Sequence, residues 1–556
     1  MKIKFLALAM IAMLFTACKP DPQPEGGEGS GTNNGEVESS YIAISLAQTG
    51  MDRADDDAKF DDGLDEERKV HSIYVFFFRN GQAFVGASGE GYSQNNYQSI
   101  DVAIGNKDPE NDNISDINNS VLVIKNYKGE LPNQMVAVLN WTPADPKTKP
   151  TYTLKELQEE LVGYTKEFNS TDYFIMSNST YKNAAGDVYA TPLEITDFKN
   201  ERQAAIDHPV KVYVERVAAK VKVKTTGAIV DDQYPENNGH IFKLQQEKNN
   251  NSNFITLGEK TIYAKILGWD IYNDYTQSYL LKNLPTDLAH NDEWNGFWWN
   301  SPSNHRSYWA KSYEQTINDQ FNWNTMTYPE QMYCCENTSG NDKSAAAART
   351  KVVLKAQLQD ENGAPVEVAR WFGSDYDGKE NLLKAVKNTL VNTYYSGVGT
   401  EVDEKGNHKK FQSIEWQDLM TVAGNGTEVA VYQVYFQLST EASENKTWYV
   451  RSGDTFTKTS ATAINGLLDD IDPALLYSDG QTYYQTDIQH LGTTFGVVRN
   501  HVYDIDIKSI TGYGTPVVDL NYVIDTPEIP LEDEQTFVAA EINILSWRVV
   551  ENNVNL

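Results

Sequence analysis

Apolar residues recur mostly at every second position along the chain, which predicts β-strands. The clearest alternations are at 210–214 and 221–223, where every second residue is valine. Further strands are predicted at 70–78, 135–140, 173–177, 261–272, 350–358, 428–438, 447–451 and 502–510. The segments 154–161 and 380–392 carry the spacing of amphipathic helices. The pattern therefore predicts a mainly β fold with a few short helices in connections and insertions.

Two further predicted strands lie near the ends of the chain. The first is Tyr41–Ala47, in which Ile42, Ile44 and Leu46 alternate with small residues. The last is Phe537–Val550, with the apolar residues Val538, Ala540, Ile542, Ile544, Leu545, Trp547 and Val549. The first four of these share one face, but the alternation changes phase at Leu545. A β-bulge or bend is therefore predicted near Ile544.

The N-terminus has the features of a secretion signal followed by a linker. Lys2 and Lys4 precede a short apolar run, and small residues precede Cys18. The sequence FTAC resembles a bacterial lipoprotein box, which implies that Cys18 becomes the lipidated first residue. An ordinary signal peptide with an incidental cysteine is the alternative. Residues 19–40 are rich in Pro, Gly, Glu and Asn and are typical of a flexible tether.

Charge and composition exclude several classes of function. The 556 residues carry a formal net charge of −31, which disfavours binding to nucleic-acid phosphates and anionic lipid surfaces. No nucleotide-binding, zinc-protease or serine-hydrolase motif is present, and Phe60 stands where a calcium loop in the acidic segment 55–67 needs glycine. Cys334 and Cys335 are adjacent, so we expect a strand with one on each face and no disulfide. We expect no enzyme activity, no cofactor and no bound metal.

A dense group of aromatic residues occupies 294–323. Its first tryptophans are Trp294, Trp298, Trp299 and Trp309. Aromatic side chains spaced in this way can stack on sugar rings or anchor a protein interface. An insertion that packs its own aromatics onto a sheet is the alternative. These four tryptophans are therefore candidate ligand contacts.

Four segments resemble the Mfa-type major fimbrial subunits, or fimbrillins, of Bacteroidales. They are VYVERVAAKVKVKT at 212–225, YCCENTSG at 333–340, VVRNHVYDIDIKSITGYG at 497–514 and the C-terminal strand at 537–556. The residues that carry the match in the first two are Glu215, Arg216, Ala218, Lys220, Glu336, Asn337 and Thr338. The resemblance implies a pair of transthyretin-like β-sandwich domains.

The resemblance also implies a route of assembly. Such subunits are exported as lipoproteins, and an arginine-specific surface protease then removes the lipid, the tether and the first strand. Carried onto this chain, Arg53 is the cleavage residue and Ala54 the mature N-terminus, while Arg68 is a competing site next to a strong strand. The vacated groove accepts a strand from another copy, and the final strand is the expected donor. Because donor and groove lie on different surfaces, these contacts propagate as a filament.

The chain is expected to divide into five parts. These are a signal peptide at 1–17, a lipidated propeptide at 18–53, an N-terminal β-sandwich at 54–215, a C-terminal β-sandwich at 216–520 and an extended donor segment at 521–556. Pro527, Pro530 and many acidic residues favour an extended arm before the last strand. The alternative for that strand is an ordinary edge strand that completes its own sheet.

The function predicted from the sequence is that of a fimbrial shaft subunit that mediates adhesion, colonisation or biofilm formation. The expected partners are other copies of the chain, accessory fimbrial subunits, the arginine-specific protease, and host or bacterial surface ligands. The precursor is expected in the outer membrane, held by its lipid alone, and the mature form in extracellular fimbriae. The alternatives are a tip or anchor subunit, and a monomeric glycan-binding lipoprotein that uses the aromatic group at 294–323.

Overall fold

The protein is described by a computed structural model. The described residues are 38–48, 60–61, 63–64, 67, 70–85, 95–100, 121–126, 131–164, 173–183, 186–229, 240–246, 253–284, 310–314, 321–322, 325–339, 347–424, 432–490, 495–517, 523–524 and 537–547. Every structural statement below refers to these residues.

Strands dominate the described chain. In the first part they are β1 Glu38–Gln48, β2 Phe60–Asp61, β3 Ile73–Arg79, β4 Gln82–Ala83, β5 Tyr97–Ile100, β6 Val121–Asn126, β7 Gln134–Leu139, β8 Leu161–Gly163, β9 Met176–Asn178, β10 Tyr181–Asn183, β11 Gly186–Val188, β12 Thr191–Pro192, β13 Val210–Arg216 and β14 Ala219–Lys224. They continue as β15 Ile241–Lys243, β16 Thr256–Leu257, β17 Lys260–Thr261, β18 Tyr263–Tyr272, β19 Gln277–Tyr279, β20 Phe321–Asn322, β21 Met332–Cys334, β22 Lys351–Gln359, β23 Val368–Trp371, β24 Ser374–Asp377, β25 Tyr394–Val402 and β26 His408–Ser413. The last are β27 Leu419–Ala423, β28 Gln433–Leu438, β29 Trp448–Ser452, β30 Thr455–Thr459, β31 Ala474–Tyr477, β32 Gln481–Asp487, β33 His501–Thr511, β34 Thr515–Pro516, β35 Val523–Ile524 and β36 Phe537–Trp547.

The α-helices are short. They span Leu154–Glu159, Arg202–Ile206, Gly378–Leu390, Thr440–Asn445 and Ala461–Leu468, with 3-10 turns at Ile195–Asp197, Trp416–Asp418 and Ser478–Gly480. The mainly β fold with few short helices is therefore confirmed. The two predicted helices, 154–161 and 380–392, are also confirmed, with their ends shifted by one or two residues.

The first sheet has the strand order β4-β3-β7-β9-β13-β1-β6, and β12 and β5 pair with β7 and β3. Its strand β3 is apolar at successive positions because both of its faces are buried: Val75 points into one core and Phe76 into the other. The helix Leu154–Glu159 covers the second face with Leu157. Thr153 starts this helix by accepting a hydrogen bond from the N–H of Glu156.

The second and third sheets pack face to face. The second has the order β2-β36-β33-β14-β21, and the third has the order β15-β18-β22-β32-β34. Their shared core contains Val221 and Ile505 from the second sheet and Trp269 and Leu354 from the third. β14 and β33 run parallel, with Val221 opposite Tyr503. The alternation of valines in β14 therefore places one apolar face on this core.

A long insertion separates two neighbouring strands of the third sheet. The chain leaves the sheet at Gln359, at the end of β22, and returns to its neighbour β32 at Gln481. Between them lie a fourth sheet, β24-β23-β31-β28-β27, and a fifth sheet, β26-β25-β29-β30. These sheets and the helix Gly378–Leu390 enclose their own hydrophobic core, which includes Trp371 and Trp448. We propose that 360–480 is a separate inserted unit; the predicted boundary at 216–520 stays a prediction.

Candidate functional site

The first strand lies inside the first sheet and links two of its strands. The first half of β1 pairs antiparallel with β6, with Ile42 opposite Leu122, and the second half pairs parallel with β13, with Leu46 opposite Val212. The Ile42 side chain is fully buried, in the same core as Val212 and Val502. The strand predicted at Tyr41–Ala47 is therefore confirmed, and β1 joins β6 to the rest of the sheet.

The last strand lies in the second sheet of the same chain. β36 pairs antiparallel with β33 from Thr511 opposite Phe537 to His501 opposite Ser546. On its other side, Phe60 of β2 pairs in parallel with Ser546. Within this single chain, the last strand has the geometry of a strand that completes its own sheet. Its role as a donor to another copy stays a prediction.

The predicted bulge near Ile544 was wrong. The register between β36 and β33 is continuous on both sides of Ile544, and its one shift lies between Ile507 and Ser509 on β33. Gly227 lies against this irregularity. Its N–H donates to the carbonyl oxygen of Ile507 at 3.1 Å, and a Cβ on Gly227 would lie 1.9 Å from the carbonyl oxygen of Lys508. The extra residue, Lys508, therefore lies on β33 and not on β36, and it packs directly against Gly227.

A buried ion pair anchors the segment that follows the predicted cleavage site. The Glu67 side chain is fully buried, and the ammonium of Lys220 donates to its carboxylate at 3.0 Å. The hydroxyl of Tyr333 and the backbone N–H of Leu64 donate to the same carboxylate. Arg216 donates from Nε to the backbone carbonyl of Glu67 at 3.0 Å. These contacts hold residue 67 against the β13–β14 connection, where the chain passes from the first sheet to the second.

Two more buried ion pairs lie close to the same connection. Lys282 pairs with Glu215 at 3.2 Å, and Arg499 pairs with Glu336 at 2.7 Å, with all four side chains fully buried. The Arg499 guanidinium also donates to the hydroxyl of Ser278 and to two backbone carbonyls. Arg499 thus has a charged partner and three further hydrogen bonds, which fix the position of its side chain.

Burial also shifts the pKa values of nearby groups. His490 donates to or accepts from the hydroxyl of Tyr503 at 2.7 Å, and burial, aided by the charge of Lys282, lowers the pKa of His490 to about 3. Burial raises the pKa of the Tyr503 hydroxyl and of the Cys335 thiol well above their ordinary values. Cys334 ends β21 and Cys335 follows it, and both side chains are buried and are not joined in a disulfide. Burial therefore keeps the Cys335 thiol protonated and unreactive in the folded state.

Several of these charged residues were identified from the sequence, but no structural role was predicted for them. Glu215, Lys220 and Glu336 were noted only as matches to the fimbrillin pattern. The sequence did contain an indication of buried ion pairs. Charged residues that interrupt a run of valines at buried positions need buried partners. The partners themselves could not be found, since Glu67, Lys282 and the other ends of the pairs lie far away in sequence.

Several predicted site residues lie outside the described residues. They are Cys18, Arg53, Ala54, Arg68, Trp294, Trp298, Trp299 and Trp309. Their roles therefore stay predictions. Within the described part of the chain, no group of His, Cys, Asp and Glu side chains is placed to hold a metal ion. None of the helices in that part has the length and apolar character needed to cross a bilayer.

Comparison with known proteins confirms the resemblance to fimbrillins over the C-terminal part of the chain. Residues 476–553 match the family described as "Major fimbrial subunit protein type IV, Fimbrillin, C-terminal". Comparison with curated proteins gives no match. The matched region comprises β32 to β36 and includes both Arg499 and the last strand.

Solved structures are also similar to this chain, at low identity. One is a fimbrilin (fimA) from Porphyromonas gingivalis W83, at 12% identity and a TM-score of 0.36, covering 93% of this chain and 99% of that one. Another is the tip fimbrial protein Mfa3 from Porphyromonas gingivalis, at 10% identity and a TM-score of 0.28, covering 92% of this chain and 100% of that one. Values this low do not establish a shared function.

Proposed function

We propose that this chain is the shaft subunit of a fimbria and polymerises by strand exchange after cleavage behind its first strand. The observation that carries the proposal is the position of β1, which joins β6 to β13 and buries Ile42. Removing this strand leaves backbone groups of both neighbours without partners and opens an apolar groove. The fimbrillin match at 476–553 supports a role in a fimbria. The proposal gives the chain a structural and not a catalytic role.

The contacts of Glu67 favour Arg53 over Arg68 as the cleavage residue. A protease must hold the residues on both sides of the cleaved bond in extended form, and Glu67, next to Arg68, is fully buried and paired with Lys220. Cleavage behind Arg53 leaves residue 67 in the mature chain. The pairing of β2 with β36 and the buried ion pair then both survive processing.

Strand exchange would replace one set of interactions with a similar one. The backbone pairs between β36 and β33 open in the donor subunit, and equivalent pairs form in the groove that β1 has left in the next subunit. Burial of three or four aliphatic side chains contributes about 6–10 kcal/mol before the cost of ordering the strand. Because donor and groove are different surfaces, each added subunit leaves one of each free, and growth continues.

Treatment of the purified precursor with an arginine-specific protease tests the proposal. The new N-terminus should read ADDDAKF, and SDS-resistant ladders should appear. Arg53→Ala should block both, whereas the matched control Arg68→Ala should block neither. Deletion of 537–556 should abolish the ladders and leave cleavage intact. Ladders that persist after this deletion exclude β36 as the donor, and a processed chain that stays monomeric favours the monomeric lipoprotein.

A further inference from the structure

The inserted unit has a sheet whose outer face differs from the rest of this acidic chain. The strands of the fifth sheet, β25, β26, β29 and β30, contain the four cations Lys409, Lys410, Arg451 and Lys458. Glu401 is their only acidic residue. Within the described part of the chain, none of the four cations forms a salt bridge with a carboxylate. Asp454, in the β29–β30 turn, interacts with the charge of Arg451, but cations still outnumber acidic residues on these strands, in a chain with a net charge of −31.

Aromatic rings lie beside three of these charges, Lys409, Arg451 and Lys458, on one face of the sheet, whereas Lys410, opposite Val398, lies on the other face. Directly opposed residues of paired strands share a face, and the pairs are Gly397 with Phe411, Tyr395 with Tyr449, and Arg451 with Phe456. Phe411 and Phe456 are stacked with ring centroids 4.0 Å apart, and Tyr395 meets Phe456 edge-on at 5.1 Å. The opposite face carries Tyr394 and Trp448, which belong to the core of the unit. The rings of Tyr395, Phe411 and Phe456 are only half-buried.

The guanidinium of Arg451 is oriented by its neighbours. Its Nε donates to the carbonyl oxygen of Gly453 at 2.8 Å, and one terminal nitrogen donates to the hydroxyl of Tyr395 at 3.3 Å. The Arg451 side chain is exposed, and its centre lies 6.0 Å from the Tyr395 ring centroid. The remaining N–H groups of the fork are thus available to a ligand, and the fork geometry suits a carboxylate.

Gly397 makes room for a neighbour within this face. A Cβ on Gly397 would lie 2.4 Å from the imidazole ring of His408. The N–H of His408 in turn donates to the hydroxyl of Tyr449 at 3.0 Å, and Tyr449, on the same face as Tyr395, is fully buried among its neighbours. These contacts fix the arrangement of His408 and Tyr449 within the aromatic face.

We propose that the outer face of the fifth sheet binds an acidic glycan, with Arg451 holding a sugar carboxylate or sulfate and with Tyr395 and Phe456 contacting the sugar rings. The C–H faces of sugars stack on aromatic rings, and the cations of this face complement the acidic groups. An anionic membrane fits less well, because the rings are half-buried and do not project as anchors. This proposal uses residues other than the tryptophans at 294–309 and does not depend on strand exchange.

Binding of the full chain to a heparin octasaccharide and a hyaluronan octasaccharide tests the proposal, with a neutral chitin oligosaccharide as the comparison. At least one acidic oligosaccharide should bind, and the neutral one should not. Arg451→Gln and Phe456→Ala should each weaken binding about tenfold or more, as expected for loss of a charge-assisted contact or an aromatic anchor. Circular dichroism and thermal unfolding establish that each variant is folded.

Two matched variants in the same unit serve as controls. Lys387→Gln removes a charge from the helix Gly378–Leu390, and Phe372→Ala removes a ring that is 62% exposed at the β23–β24 turn. Both should bind within about twofold of the unchanged chain, because neither lies on the fifth sheet. Failure of both acidic oligosaccharides to bind overturns the proposal. So does equal loss in test and control variants, or binding to anionic vesicles in preference to the oligosaccharides.

Discussion

Replacing Lys220 by Met tests whether the buried ion pair holds residue 67 in place. The side chains of Lys220 and Glu67 are 1% and 0% exposed, so the change leaves a buried carboxylate without its charged partner. Removing one member of a buried pair costs about 3–5 kcal/mol. Glu67 keeps the Tyr333 hydroxyl and the Leu64 N–H as donors, so we expect the lower end of that range, about 3 kcal/mol.

Hydrogen exchange measured by mass spectrometry is a suitable assay, because the chain has several cores and need not unfold in one step. A loss of about 3 kcal/mol corresponds to an opening constant for β14 and β21 that is higher by about a hundredfold. Lys224→Met is the matched control on the same strand. Lys224 pairs with Asp504, but its side chain is 54% exposed, so we expect a loss of no more than about 1 kcal/mol.

A double variant, Lys220→Met with Glu67→Gln, completes the cycle. Because the second change removes the stranded charge, the double variant should lose less stability than the sum of the two single losses. The reasoning is refuted if Lys220→Met leaves the hydrogen exchange of β14 and β21 unchanged. It is also refuted if the loss of stability in the double variant equals the sum of the losses in the two single variants.

Three further predictions follow from buried groups and close contacts. Burial lowers the pKa of His490 to about 3, so near pH 6 this side chain takes up a proton only in the unfolded chain. The free energy of unfolding should therefore fall by about 1 kcal/mol between pH 7 and 5.5. In urea unfolding, His490→Gln should lack this pH dependence. Gly227→Ala should lower thermal stability, because its Cβ would lie 1.9 Å from the carbonyl oxygen of Lys508, whereas Gly466→Ala, in open helical space, should not. Cys335 and its neighbour should resist alkylation at pH 8 until urea unfolds the chain, and rapid labelling of the folded chain contradicts their burial.

The strands near the two ends show how far local pattern reaches. The alternation at Tyr41–Ala47 predicted β1, and the aliphatic residues of 537–550 predicted β36, because side chains of a strand point to its two faces in turn. The change of phase at Leu545 did not predict the bulge correctly. The irregularity lies on the partner strand β33, where it packs against Gly227, a contact that forms only after the chain has folded.

The buried ion pairs show the opposite case. The sequence placed Lys220 within a run of valines, but its partner Glu67 precedes it by more than a hundred residues and lies in the acidic segment 55–67. The insertion between β22 and β32 was likewise read as part of one sandwich. Only the pairing of β22 with β32 shows that the residues between these strands form an insertion with its own core.

The sequence by itself determined the β character of this protein, the positions of several of its longer strands and the resemblance to fimbrillins, because these follow from side chains that are close together in the chain. Only the tertiary structure decided which strands are neighbours, that β36 pairs with β33 in its own chain, and that charged residues from distant segments meet in pairs. Strand pairing and charge burial depend on contacts between residues far apart in sequence. The alternating pattern of one strand is compatible with many different partner strands, so it does not select its neighbour.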